Sequence, residues 1–233
     1  MSNKHFHKQL SIVLVGAYNT KNFSLLRLID FGLINRCDEK NSEEYYDGNI
    51  RKIELPWCVI VVESEKVIFQ MKTTSEQFGD FHLFKDLILS VLNLFITTEV
   101  KAIGMNAHYF IQLKDKKEWH KLGNSLIPKQ PFLSALSKKE DDLIGTMHLK
   151  LQYENFFDIS SKNELNIEVR PLFKNEKNLY KPHSILVGFN GHFDVGGDAN
   201  EGVETITTYI DDIESKYSTF SKNIIKECLE NGI

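Results

Sequence analysis

Between Val203 and Ile224 the apolar side chains stand at Val203, Ile206, Ile210, Ile213, Tyr217, Phe220 and Ile224, in alternating steps of three and four. The spacing predicts one stripe along a helix about 28 residues long, roughly 42 Å at 1.5 Å per residue. Such a helix is held mainly by burial of its apolar face, so something must cover the stripe. Either the helix lies across a sheet of its own chain, or Ile206, Ile210, Ile213, Tyr217, Phe220 and Ile224 form a seam with a second copy or another protein. The flanks agree with a helix. Asp198 and Glu201 have capping-box-like spacing, acidic residues gather in the first half, Lys222 and Lys226 stand in the last turns, and Asn231–Gly232 supplies a stop.

Upstream, β-branched runs alternate with helical spacings. Residues 10–15 read as a strand closed by Gly16, and residues 22–34 as a helix with Phe23, Leu26, Ile29 and Leu33 on one side. The acidic stretch 38–47 reads as a loop, and 57–62 with 66–72 as a hairpin turning at Ser64–Glu65. Residues 81–95 are apolar nearly all round, which suits a helix buried between layers. A strand over 100–113, a short charged helix over 114–122, a loop through Pro128 and Pro131, and strands over 143–153, 164–171 and 184–193 complete the pattern. The expected fold is α+β, a mainly antiparallel sheet with helices on one side and a long C-terminal amphipathic helix.

A chain of 233 residues fits a single compact domain, here with two pseudo-repeat halves of about 8–97 and 98–233. Sixteen Phe exclude a disordered chain, and a net charge of −4 gives no bulk attraction to nucleic acid or to an anionic membrane. Cys37, Cys58 and Cys228 are scattered without a CxxC pair, which argues against a disulfide framework or a structural zinc site. The apolar stretch 10–15 is too short for a signal-peptide core, and the run 87–96 is too short for a membrane span. The expected location is the cytoplasm.

An internal repeat supplies the candidate site. Ala102-Ile-Gly104-Met-Asn106-Ala-His108-Tyr109 recurs as Leu186-Val-Gly188-Phe-Asn190-Gly-His192-Phe193. Residues two apart on a strand share a face, so Asn106 points with His108 and Asn190 with His192. The glycines share that face and leave room for a close neighbour. If the halves pack about a pseudo-twofold axis the two pairs approach, and Asn106, His108, Asn190, His192 and Asp194 form a ligand or partner cluster. Two histidines with Asp194 or Asp198 nearby would suit a transition metal. The plainer reading is that these side chains satisfy irregular strand ends, with Gly at a bulge.

Other motifs are weaker. The run Asp194 to Glu201 lacks the spacing of a calcium loop, and Gly16-Ala-Tyr-Asn19 carries neither nucleotide-binding glycine pattern. No GxSxG or nucleophilic Cys signature is present, so no catalytic residue and no cofactor is assigned. Lys116, Lys117, Trp119 and Lys121, with Lys114 and Lys129, make a basic patch around an aromatic, a candidate RNA surface without an RRM or KH signature.

Four segments occur in order: Gly16-Ala-Tyr18-Asn19 after a strand, Gly104-x-Asn106, Trp119-His-Lys-Leu-Gly123-Asn-Ser-Leu126-Ile-Pro128-Lys129, and Asn190-Gly-His192-Phe193. Together they resemble a sporadically distributed family of bacterial proteins of similar length that brings no catalytic residues to transfer. The start departs from the family's pattern, with Thr20 where its members carry Pro and Leu25-Leu26-Arg27 where they carry Trp. Sporadic distribution implies horizontal transfer, and with it a role in a mobile or defence gene cluster. The expected function is therefore non-enzymatic binding of another protein or of itself, as an accessory subunit of a defence or toxin–antitoxin-like system. A metal-dependent hydrolase or ligand sensor built on the Asn/His segments, and RNA binding, stand as alternatives.

Overall fold

Every described strand belongs to one antiparallel sheet, and alternation along most of them decides which side is buried. The computed structural model describes residues 4–72, 81–95, 97–127, 134–135, 148–159, 162–172, 183–197 and 199–230. Nine strands run through it: β1 (Lys4–Gly16), β2 (Glu43–Tyr46), β3 (Arg51–Glu54), β4 (Cys58–Val62), β5 (Lys66–Met71), β6 (Val100–Gln112), β7 (Leu149–Glu154), β8 (Asn163–Leu172) and β9 (Ser184–Gly197). Their order is β2-β3-β4-β5-β1-β6-β9-β8-β7. The long strands β1 and β6 pair at the centre, with one meander running outward from each. This bears out the α+β reading with an antiparallel sheet.

One face is apolar. Leu10, Ile12 and Leu14 of β1, Ile103, Met105, Ala107 and Tyr109 of β6, and Val187, Phe189 and Phe193 of β9 are all buried. Helices α2 (Phe81–Leu94), α3 (Lys116–Leu126) and α4 (Ala199–Glu230) bring their own apolar residues to the same core. Helix α4 packs on β6 and β9 and against α2 and α3. At the centre of that contact the buried Tyr109 hydroxyl donates to the Ile213 carbonyl at 2.7 Å.

The α4 stripe is therefore used within the chain and is not free as an intermolecular seam. Ile206, Ile210, Ile213 and Tyr217 are buried, and Phe220 and Ile224 are partly buried against the same core. Beyond Tyr217 the buried line passes to Ser221 and Ile225. A helix of 3.6 residues per turn drifts off a strict 3.5-residue repeat, which moves Phe220 and Ile224 to the flank.

Two further expectations are corrected. Residues 22–34 are not one helix. A 3-10 turn at Thr20–Phe23 is capped by Asn19, and α1 (Leu25–Asp30) starts afresh at Ser24, whose hydroxyl accepts from Arg27 N. Gly32, at φ 71°, closes it in a conformation that suits glycine. The stretch 38–47 ends in β2, an edge strand exposed throughout and so lacking any apolar alternation. It is held by Arg51 of β3, which pairs with Glu44, donates through Nε to the Thr20 carbonyl at 2.8 Å and lies 4.1 Å over the Tyr46 ring. Residues 143–147, Pro128, Lys129, Pro131, Asp198 and Asn231–Gly232 lie outside the described residues. Among those described, no helix is long and apolar enough to cross a membrane.

Candidate functional site

The two repeat segments are neighbours in the sheet. Strands β6 and β9 pair with Asn106 opposite Asn190, Gly104 opposite His192 and His108 opposite Gly188. Antiparallel pairing reverses one copy against the other, so a local twofold axis passes between the asparagines, and Asn190 Nδ2 donates to Asn106 Oδ1. The same symmetry carries the histidines away from the axis. His108 and His192 lie on one face but four residue positions apart, about 13 Å at 3.3 Å per residue. The Asp194 carboxylate is turned to its own loop, accepting from Gly196 N at 3.4 Å. Among the described residues no group of three or more His, Cys, Asp or Glu is placed to hold a metal ion, so His108, His192 and Asp194 do not form one; Asp198 lies outside the described residues.

The glycines differ in role. A Cβ on Gly188 would stand 2.8 Å from His108 Cδ2, so the imidazole occupies the space that Gly188 leaves. At Gly104 the nearest atoms would be Val13 Cβ at 3.5 Å and Asn106 Nδ2 at 3.7 Å, an ordinary fit. The β6–β9 register is unbroken from Ala102 to Gln112, so neither glycine marks a bulge.

The asparagines belong to a longer feature. On the face away from the helices, the register aligns Gln70 of β5, Ser11 of β1, Asn106, Asn190, Asn166 of β8 and Gln152 of β7 as successive cross-strand neighbours. At 4.8 Å per strand this row of amides and one hydroxyl runs about 24 Å across six strands. Gln70, Asn190 and Gln152 are exposed and the other three half-buried. Each amide can both donate and accept.

Charges flank the row on β8. Glu164 accepts from Asn166 Nδ2 at 3.0 Å and from Gln152 Nε2, and the Asn166 bond leads in holding its carboxyl below the ordinary range. Glu168 pairs with Arg170 Nε at 2.6 Å and His148 Nε2 at 3.3 Å. Burial, partly opposed by Glu168, pulls the His108 imidazole below its usual value, which leaves it neutral at pH 7. At one end of this face Phe110, Leu172 and Leu186 are buried as a small separate cluster. The β8 members were legible in principle, because Glu164, Asn166, Glu168 and Arg170 alternate with Leu165, Ile167 and Val169.

No protein-family model matches the chain, and no curated protein matches it. The basic patch remains to be placed. Lys116, Lys117 and Lys121 are exposed on α3, but two carboxylates stand among them: Asp115 caps the helix by accepting from Glu118 N at 2.9 Å, and Glu118 accepts from Lys114 N at 2.9 Å. Trp119 is partly buried, packed on the core and edge-on to His120, so its ring is not presented as an open stacking platform.

Proposed function

We propose that this is a non-enzymatic cytoplasmic protein that acts by binding another protein along the open face of its sheet. The observation that carries the reading is the aligned row from Gln70 to Gln152. Side-chain amides match the donors and acceptors of peptide groups, and a regular array of them on a rigid sheet is preorganised for such contacts. Glu164 and Glu168 beside the row disfavour a phosphate backbone and suit a neutral or basic partner. A place as accessory subunit in a bacterial defence or toxin–antitoxin-like system is supported by the family resemblance. Descent of the two halves from one duplicated unit is supported by topology. Each half runs from a central strand (β1 or β6) through a helix to a meander whose last strand (β5 or β9) returns to it, then to a helix. The Asn/His segments, both in the second half, do not mark that duplication.

The test is co-purification from the host's own lysate. A Gln70→Arg/Asn190→Arg variant is expected to lose the polypeptide that the native protein retains, with an unchanged melting temperature, whereas Lys116→Glu/Lys117→Glu/Lys121→Glu keeps it. Retention by the first variant and loss by the second would move the binding surface to α3.

A further inference from the structure

Independently of the open face, we infer that β7 pairs with β7 of a second copy, antiparallel and with Gln152 at the twofold axis, joining two nine-stranded sheets into one. Strand β7 ends the sheet, and among the described residues nothing pairs with its outer edge. A bare edge of backbone donors and acceptors is a template for another strand unless it is blunted. Lys150 and Glu154 put charge on one side of β7, but its other side is open and apolar. Leu151 is 43% exposed, Tyr153 48% and Phe156, just beyond its end, 42%.

The chemistry of the strand selects its partner. Directly opposed residues in an antiparallel pair share a face, so only registers joining odd with odd and even with even keep both apolar sides together. With Gln152 opposite itself, Lys150 faces Glu154 of the second copy and Leu151 faces its Tyr153, each pair occurring twice by symmetry. A slip of two residues either way sets Lys150 against Gln152 or Phe156 and loses both charge pairs. Within its own chain Lys150 lies opposite Glu168, which Arg170 and His148 already engage, and neither Lys150 nor Glu154 has an ion-pair partner among the described residues. Glu154 lies opposite Glu164, a like charge. Its complement comes from the second copy.

The other edge lacks this property. In β2 the registers centred on Glu43, Glu44 or Tyr45 set Glu43 or Glu44 against itself or Glu43 against Asp47, the register centred on Tyr46 forms no charge pair, and Glu44 is already engaged by Arg51. The twofold axis at Gln152 stands normal to the sheet. Both helix layers therefore fall on one side, and the two amide rows meet end to end.

Sedimentation over a range of concentrations tests the pairing by charge exchange. Native protein is expected to dimerise reversibly, and Lys150→Glu and Glu154→Lys to weaken the dimer about tenfold or more each while melting as the native chain does. Mixing the two variants, or combining them in one chain, restores complementary pairs and is expected to restore association. A monomer at all concentrations, a dimer indifferent to the single changes, or swapped charges that fail to rescue it would each overturn the inference.

Discussion

Three glycines in the paired strands β6 and β9 form a graded experiment. None has a positive φ, so what an added methyl meets, rather than backbone freedom, sets the cost of Gly→Ala. At Gly191, on the helix side, the new Cβ would stand 2.7 Å from Tyr217 Oη and 3.0 Å from Phe157 Cζ. Neither ring can swing aside, because Tyr217 stacks on Phe189 at 4.9 Å and Phe157 lies 4.5 Å from Phe193. Overpacking of this kind costs about 1–3 kcal/mol, or roughly 2–12 °C in Tm at this chain length. At Gly188 the obstacle is the half-buried His108 ring at 2.8 Å, which can turn toward water, so the net change is about 0–1 kcal/mol destabilising. At Gly104 the closest atom is 3.5 Å away, and the loss of unfolded-state freedom stabilises by about 0.4–1 kcal/mol. Urea unfolding of the three variants reads the order directly. Equal losses at Gly104 and Gly191, or a harmless Gly191→Ala, would refute the reasoning from clearance.

Other expectations concern the core, the edge and pH. Ile210→Ala, deep under α4, should cost about 2–5 kcal/mol while leaving the oligomeric state of the folded protein unchanged; a loss of association without a loss of stability would return the stripe to an interface. Arg51→Ala should free β2 and hasten proteolysis between residues 35 and 50, and Arg51→Lys should rescue only part of this because one ammonium cannot reproduce the guanidinium's three contacts; unaltered cleavage kinetics would count against that anchoring. Folded His108 binds its proton less readily than the unfolded chain does. Its contribution is thus fully present above the unfolded value near 6.5 and is lost as pH falls below it, so His108→Gln should flatten the decline in unfolding free energy on that side. Parallel pH curves for the two proteins would contradict this.

Legibility followed burial. The middle of β6, β9 from Phe189 onward and the α4 stripe carry clear periods because there one side is packed and the other is more open, whereas Ser184–Phe189 of β9 is buried on both faces. Strand β2 was missed for the opposite reason: all four of its residues are exposed, so no alternation records it. The helix expected over 22–34 rested on an apolar spacing that includes Leu26, which faces solvent at 60% exposure. The repeat singled out Asn106, His108, Asn190 and His192 correctly as sharing a face, but only the register shows that the asparagines meet and the histidines part. Ser11 and Gln70 each interrupt an apolar run, and Gln152 does not stand out from Lys150 and Glu154, with which it alternates. Their membership in the row exists only across strands, where a linear sequence has no period to offer.

The pairing of Asn106 with Asn190 also spans 84 residues of chain. During synthesis at about 5–20 residues per second, β6 is complete roughly 4–17 s before β9 exists to cover its edge. Over that interval Ile103, Met105, Tyr109 and Ile111 have β1 on one side and no strand on the other, and their face awaits α4. The nascent chain therefore carries a long, apolar, half-made sheet for many times the microseconds in which a hairpin closes. Its yield in the cell depends on what shields β6 during that wait as well as on the stability of the finished sheet.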